Sequence, residues 1–434
     1  SLDVLSEWAT TLFSGIKNKS IAAPSFPGHP LTESELGKQV FIKPVKDLRQ
    51  LQITFPFPYM LPHYRAHPDR YVAHLIGHEG EGSILSLLKK KGWASGLSAY
   101  TATGGINFDF FKVSIDLTRE GLSHYEETVV IVFQYIEMIR KTGVQEWVFR
   151  ECQSLATISF RFKEKSPPSS YASRTAGSMH DYSPADILSG GYVIPEYDPA
   201  AIVQCIDALS VDRFKLTLIS PLFETAGWNK ADHYGTEYLL QDLSSELKGT
   251  GDNQETKHTG KGKKGYDRKY DFSYSPSLQA LANLEPNPAL ALPSRNDFVP
   301  ENFDLNRVDV AEPLKRPSII KETPLTRLWH KKDDTFWVPK ANVWFRLKSP
   351  ISYASPLASN LTRLYADLLK DSLSEFSYYA DVAGLSYALE NSTDGIMLAL
   401  GGYNDKLPIL LKKIAERMRD LVIHPERFKM VKER

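Results

Sequence analysis

The chain has 434 residues, of which 42% are hydrophobic and 24% are charged, which is ordinary for a globular protein. Its 52 Lys and Arg residues balance 52 Asp and Glu residues, so the net charge indicates neither nucleic acid nor an anionic membrane as a partner. The length predicts two or more domains, and no apolar run approaches the ~18 residues of a membrane-spanning helix.

The N-terminal segment has a helical pattern followed by a linker pattern. Residues 1–18 place Leu5, Trp8 and Leu12 on one stripe, and we expect this segment to be the tail of a preceding domain. It contains acidic residues and has no basic start, which argues against a signal peptide. Residues 19–35 contain prolines and glycine without a period, as linkers do.

Residues 36–303 are predicted to form an α+β domain. Apolar and polar side chains alternate through FFKVSIDLT, residues 110–118, which predicts a strand. Residues 122–143 change to the period of a helix, and Gly143 is expected to end that helix. The glycine-rich basic segment 249–270 is predicted to be a solvated insertion, with a nucleic-acid patch as the alternative.

The pattern then repeats. Residues 304–324 contain prolines among charged residues and predict an interdomain linker. In residues 325–434, a strand, a long amphipathic helix, two strands and further helices follow in the order of the first domain. We therefore predict an internal duplication of an α+β unit, an antiparallel sheet covered by helices on one face, with the second copy incomplete.

The stretch HLIGH, residues 74–78, has the spacing of a zinc site. In a helix, His74 and His78 lie one turn apart on one face, as two zinc ligands require. One change, Gly77 to Glu, would give H-x-x-E-H, the inverted zinc-protease motif. Gly77 supplies no carboxylate to deprotonate a metal-bound water, so a working hydrolase lacks its general base.

Two neighbouring carboxylates do not settle the chemistry of this stretch. Glu79 follows His78 and would not aim at the same water, whereas Glu151, on a predicted helix, is a conceivable third ligand. Three interpretations stay open on these residues alone. The histidines bind zinc and support hydrolysis, bind zinc without catalysis, or only cap and pack near a helix end.

Several stretches together resemble one family. The chain is similar to the insulin-degrading enzyme (insulysin) and fungal pheromone-processing family of inverted-motif zinc metallopeptidases, in order and over nearly its whole length. The stretches are HLIGHEGEGSILSLLKKKGW, TFPFP, DLTREGL, FQYIEMIR, QEWVFREC, FRFKEK, LLKDSLSEFSYYADVAGLSYALENS and GGYNDKLPILLKKI. The segment 249–270 has no obvious counterpart in the family.

The resemblance implies an α+β fold of the metallopeptidase-repeat type, similar to that of LuxS and mitochondrial processing peptidase. Homologous domains would form two halves that close around a peptide chamber. This chain matches the end of the first domain, the second domain, the linker between halves and the front of the third. The active H-x-x-E-H of the family lies in the first domain, so this chain is expected to lack the zinc ligands and the base and to be inactive alone.

The resemblance also implies a peptide-binding exosite that holds the N-terminus of a substrate away from the zinc. An extended peptide can add to a strand edge through main-chain hydrogen bonds. Gly77 would let a backbone approach, and Glu79 could pair with a free α-amino group. Where Ala99 stands, the family tends to have glycine, so this chain departs from its pattern there. The matching positions are His74, Gly77, His78, Glu79, Leu97, Ser98 and Ala99.

The sequence thus predicts a non-catalytic section of an insulysin-like zinc metalloendopeptidase, serving as chamber wall and anchor for the substrate N-terminus. Zinc is expected in the full-length enzyme and not on this chain. Expected partners are peptide substrates and the remaining domains of the same protease, and a homo-oligomer is compatible with the sequence. Two cysteines without a C-x-x-C favour a reducing, cytoplasmic location. The alternative is a stand-alone peptide-binding or scaffold protein without hydrolysis.

Overall fold

The computed structural model describes residues 1–22, 24–243, 280–281, 283–305, 307, 312–423 and 425–432. The insertion predicted at 249–270 lies outside these residues. None of the described helices is long and apolar enough to cross a membrane. Both cysteines are free thiols.

The described chain contains both strands and helices, in runs of unequal length. The strands are β1 (Lys38–Lys43), β2 (Gln50–Phe57), β3 (Ala94–Gly105), β4 (Phe108–Leu117), β5 (Lys215–Ile219), β6 (Asn229–Lys230), β7 (Glu237–Asp242), β8 (Ser318–Glu322), β9 (Arg327–His330), β10 (Lys340–Lys348), β11 (Ser386–Ser392) and β12 (Gly395–Tyr403). The helices are α1 (Leu2–Phe13), α2 (Pro68–Ile76), α3 (Ile84–Lys90), α4 (Arg119–Ser123), α5 (Tyr125–Thr142), α6 (Glu146–Arg161), α7 (Pro168–Asp181), α8 (Pro199–Asp207), α9 (Pro356–Val382), α10 (Leu407–Arg419) and α11 (Pro425–Lys432).

The larger sheet has the strand order β3-β4-β2-β5-β1-β7-β6, so β3 lies at its edge. Alternation decides its two faces, because successive side chains of a strand point to opposite sides. Ile53 of β2 and Val113 of β4 are neighbours in register and fully buried. On the other face Gln52 Nε2 donates a hydrogen bond of 3.1 Å to Ser114 Oγ. The sheet therefore has one apolar face toward the core and one polar face.

The larger sheet is mixed, which corrects the expectation of a purely antiparallel sheet. β1 pairs with β5 in parallel, whereas the pairs β2–β4, β3–β4 and β1–β7 are antiparallel. A parallel pair requires a long crossover connection, and helices α2 to α8 lie between β1 and β5 in the chain. Alternation within a strand carries no information about such a distant partner.

Helix α5 shows how local sequence fixes an element boundary. The helix ends at Gly143, which has φ 73° and donates its N–H to the Ile139 carbonyl oxygen at 3.0 Å. Positive φ is accessible to glycine without the penalty that a Cβ brings. The prediction that this helix ends at Gly143 is confirmed.

A three-stranded sheet, called the smaller sheet below, has the order β10-β12-β11 and is antiparallel throughout, and β8 and β9 form a separate two-stranded sheet. Its central strand is the last of the three in sequence, as β4 is between β2 and β3. A second hydrophobic core, separate from the core of the larger sheet, is formed by this sheet with α9 and α10 and includes Leu369, Leu398 and Leu410. The described residues therefore form two hydrophobic cores, each packed against a different sheet.

Candidate functional site

The H-x-x-G-H stretch lies at the corner between α2 and α3. Gly77 is the residue after the last turn of α2, and its N–H donates to the Ala73 carbonyl oxygen at 2.8 Å. His74 is therefore in α2, but His78 and Glu79 lie beyond its end. The prediction that all these residues share one helix is wrong. Glycine is a poor helix former, and α2 ends at Gly77, before the chain reaches Gly80 and Gly82.

The two histidine rings still meet, although they are not one turn apart on a helix. Their centroids are 5.7 Å apart and the rings are nearly perpendicular, at 79°. His78 is only 2% exposed, and its Nδ1 accepts a hydrogen bond of 2.9 Å from the Gly80 N–H. Tyr378 and Tyr379 of α9 pack edge-on against the His78 ring, with centroids 4.7 Å and 5.0 Å away. The rings of His74, Tyr378 and Tyr379 thus pack around the His78 ring.

Burial keeps both imidazoles neutral. It lowers the pKa of His74 to about 4. Burial, and then the nearby His74, lowers the pKa of His78 to about 3. Removal from water disfavours the charged form of an imidazole.

The residues present do not fit a zinc ion. Glu151, the conceivable third ligand, accepts a hydrogen bond of 3.0 Å from the Asn296 N–H, and burial raises the pKa of its carboxyl group. Among the residues that the structure describes, no group of three or more His, Cys, Asp or Glu side chains is placed to hold a metal. His78 has also already committed Nδ1 to Gly80. The stretch therefore offers no complete ligand set and no general base.

Strand β3 runs directly beside this corner. A Cβ built on Gly77 would lie 3.5 Å from the Ala99 nitrogen and 3.7 Å from the Ala99 Cβ. The backbone that lies close to Gly77 is thus that of Ala99 in this chain. Leu97 is buried, whereas Ser98 is exposed. Since β3 pairs only with β4 in the sheet, its outer edge presents main-chain groups that have no strand partner among the described residues.

Glu79 has a cationic partner within the chain. Lys89 Nζ, in the last turn of α3, donates to Glu79 Oε2 at 3.1 Å. Both side chains keep about a third of their surface exposed, 32% for Lys89 and 34% for Glu79. The carboxylate is therefore accessible from solvent and already paired.

Sequence reasoning missed the contribution of α9 to this corner. Ser86 Oγ donates to Glu375 Oε1 at 2.6 Å, and Lys90 Nζ lies 3.6 Å from the same oxygen. Tyr378 Oη donates to the Gly77 carbonyl oxygen at 3.5 Å, across 301 residues of sequence. The signal available in the sequence was an adjacent pair of tyrosines on an otherwise amphipathic helix. The corner is thus also one of the places where the elements of the two cores meet.

The fold defines the class of protein. The structure is similar to the crystal structure of pitrilysin, with a TM-score of 0.79 and 21% sequence identity, over 100% of this chain and 43% of that chain. Residues 160–434 match the family described as the middle or third domain of peptidase M16, and residues 1–155 match the peptidase M16 inactive domain. The chain belongs to the peptidase M16 family.

The relatives of the chain include insulin-degrading enzymes and an A-factor-processing enzyme. The chain is 39% identical to the insulin-degrading enzymes of Bos taurus and Homo sapiens, over 100% of this chain and 40% of each relative. It is 35% identical to the A-factor-processing enzyme of Saccharomyces cerevisiae, over 100% of this chain and 39% of that protein. The predicted resemblance is confirmed, and the chain spans about two fifths of the length of these relatives.

Proposed function

We propose that the chain is a non-catalytic, peptide-binding section of a zinc metalloendopeptidase of the insulysin type. The names of two relatives describe an enzyme that degrades insulin and an enzyme that processes A-factor. The H-x-x-G-H stretch has no general base and no complete ligand set among the described residues. Zinc chemistry would then belong to other parts of the whole protease, while this chain binds the substrate.

The exposed edge of β3 beside Glu79 carries the proposal. A peptide in extended conformation adds to such an edge as a further strand, with main-chain hydrogen bonds supplying affinity. Gly77 packs against Ala99 of β3, and Glu79 follows two residues later in the chain. A peptide that ends at this corner would bring its α-amino group to the Glu79 carboxylate.

The seven predicted residues then divide into two roles. Ser98 and Ala99 present the strand edge and Glu79 binds the peptide ammonium group. The other four hold that surface in place from within: His74, Gly77, His78 and Leu97. A neutral pair of imidazoles, His78 buried and His74 half-buried, suits this supporting role, because it leaves Glu79 as the charge that faces the peptide.

The two cores support a duplicated chamber wall. We propose that 36–303 and 325–434 are copies of one unit, joined on the hinge side by the linker 304–324, which includes strand β8. The shared neighbour order of their strands favours this proposal. The second unit exposes large apolar side chains, with Phe336 80% and Trp344 67% accessible. The remaining domains of the same protease are the partners that would cover them.

The test compares peptides with a free and an acetylated N-terminus by calorimetric titration. The chain should bind the free form more tightly. Glu79→Gln should lower the affinity for the free form by about threefold to tenfold and leave that for the acetylated form unchanged, because one charge-assisted hydrogen bond at a partly exposed site is lost. Glu81→Gln is the matched control, since Glu81 is exposed and two residues away.

Two results would count against the proposal. Equal affinity for free and acetylated peptides would remove the ammonium anchor, whatever the variants do. Cleavage of the peptide by this chain with zinc added, followed by mass spectrometry, would contradict its non-catalytic role.

Peptides N-methylated at alternate positions should bind less well, since strand addition requires their main-chain N–H groups.

A further inference from the structure

The last turn of α3 carries two adjacent lysines that face two different carboxylates. Lys89 Nζ lies 3.1 Å from Glu79 Oε2, and Lys90 Nζ lies 3.6 Å from Glu375 Oε1. Neighbouring residues of a helix point about 100° apart, so one helix end serves two directions. Only Lys89 reaches the carboxylate at the proposed peptide site.

The Lys89 side chain ends in the same chemical group that a peptide N-terminus offers. Both are ammonium groups that donate hydrogen bonds to a carboxylate, and Lys89 makes this contact at a normal hydrogen-bond distance. A peptide ammonium that approaches Glu79 must therefore share the carboxylate with Lys89 or displace it. Either course brings two like charges together or breaks an existing ion pair.

The Lys89–Glu79 pair is suited to being displaced. With about a third of each side chain exposed, the pair is screened by water, and such pairs stabilise a protein only weakly. Lysine is a flexible point charge on a long stem, so its ammonium group can move away without a change in α3. The pair thus holds Glu79 in place before a peptide arrives and opposes its binding only modestly.

We propose that Lys89 is a specificity-determining residue, an internal competitor that occupies the Glu79 carboxylate in the absence of a peptide N-terminus. This inference rests on the proposed function, in which Glu79 is the anchor. A peptide binds tightly only if its contacts compensate for the displacement of Lys89 from Glu79. A peptide with a free ammonium group and good strand pairing displaces it, and an acetylated or internal segment gains nothing from doing so.

The experiment is a double-mutant cycle in the full chain, with calorimetric titration of one peptide in its free and acetylated forms. Lys89→Met should tighten binding of the free peptide by about threefold to fivefold, because the competing charge is gone and the apolar stem is kept. Binding of the acetylated peptide should not change. In the Glu79→Gln background Lys89→Met should have no effect. Lys90→Met removes the same charge one residue away and is the matched control.

The outcomes separate the two proposals. If the unmodified chain does not distinguish free from acetylated peptide, the anchor fails and the inference about Lys89 fails with it. If the chain distinguishes them but Lys89→Met binds the free peptide equally or less well, the anchor stands and the competitor is refuted. An equal gain in Lys90→Met would show a general charge effect and also refute it. Lys89→Gln repeats the test should the Met variant unfold, and Lys89→Arg, which keeps the charge, should show no gain.

Discussion

His78 is the residue whose chemistry differs most from what its motif promises. Its Nδ1 accepts the Gly80 N–H and its ring packs between Tyr378 and Tyr379, so the imidazole serves as a packing group. Burial favours the neutral form of this imidazole, because removal from water lowers its pKa. Of the three interpretations open on the sequence, the geometry of this residue favours packing near a helix end.

Because His74 and His78 are neutral in the folded protein, the stability of the fold should depend on pH. Unfolded histidines take up protons near pH 6.5, whereas the pKa values of His74 and His78 in the fold are about 4 and 3. Since the unfolded state binds more protons in this window, the free energy of unfolding should fall as the pH drops from 6.5 to 5. Each histidine contributes at most about 1.4 kcal/mol per pH unit.

The variant His78→Gln should reduce this slope by the share of one histidine, as measured by urea unfolding at closely spaced pH values. His180→Gln, at an exposed position on α7, should leave the slope unchanged. A slope that is the same in His78→Gln and the unmodified chain would mean that His78 gains a proton in the folded state as readily as in the unfolded state.

At the scale of elements, the α2–α3 corner contains a glycine, Gly80, that has no room for a side chain unless its neighbours move. A Cβ on Gly80 would lie 2.6 Å from His78 Cε1 and 2.6 Å from Tyr379 Cε2. Gly80→Ala should therefore destabilise the protein by about 1–3 kcal/mol, because one of the two rings must move. Gly177→Ala in α7 meets no atom within 4 Å and should be neutral or stabilising by up to about 1 kcal/mol. Equal urea midpoints for the two variants would show that the His78 or Tyr379 ring moves aside without a loss of stability.

The elements that the sequence predicted well are those decided by neighbours in the chain. Alternation predicted β4, and the cap at Gly143 predicted the end of α5, because both depend on a few adjacent residues. The corner was predicted less well, because His74 and His78 were expected on one helix and α2 ends at Gly77 between them. The parallel pairing of β1 with β5 was not predicted, since no local pattern selects a strand far along the chain.

The candidate site shows the same division. The motif identified the histidines and Glu79, whereas Lys89 and the two tyrosines of α9 were missed. Lys89 is ten residues from Glu79, a spacing that no helical or strand period would bring together. The tyrosines come from the other core, about three hundred residues away, and such a contact exists only in the folded chain. Long-range contacts of this kind have no signature in a single sequence.

At the scale of the molecule, the two cores differ in how well they are covered. In the larger sheet, β2 lies between β4 and β5 and its inward residues are fully buried. In the smaller sheet, β10 is an edge strand, and Trp344 on it is 67% exposed. Every residue of β8 and β9 is exposed. Local stability follows burial and pairing, so the two units should open independently and the second more readily.

Amide hydrogen exchange followed by mass spectrometry tests this difference. Peptides from β2 and β4 should exchange slowest, by at least about a hundredfold relative to β8 and β9, because strands paired on both sides exchange only through larger openings whereas exposed edges open locally. Within the smaller sheet, the central strand β12 should be better protected than β10, which serves as its internal comparison. Uniformly slow exchange across 340–434 would mean that the second unit is as stable as the first despite its exposed apolar side chains. The uncovered face would then need no partner domain to hold it.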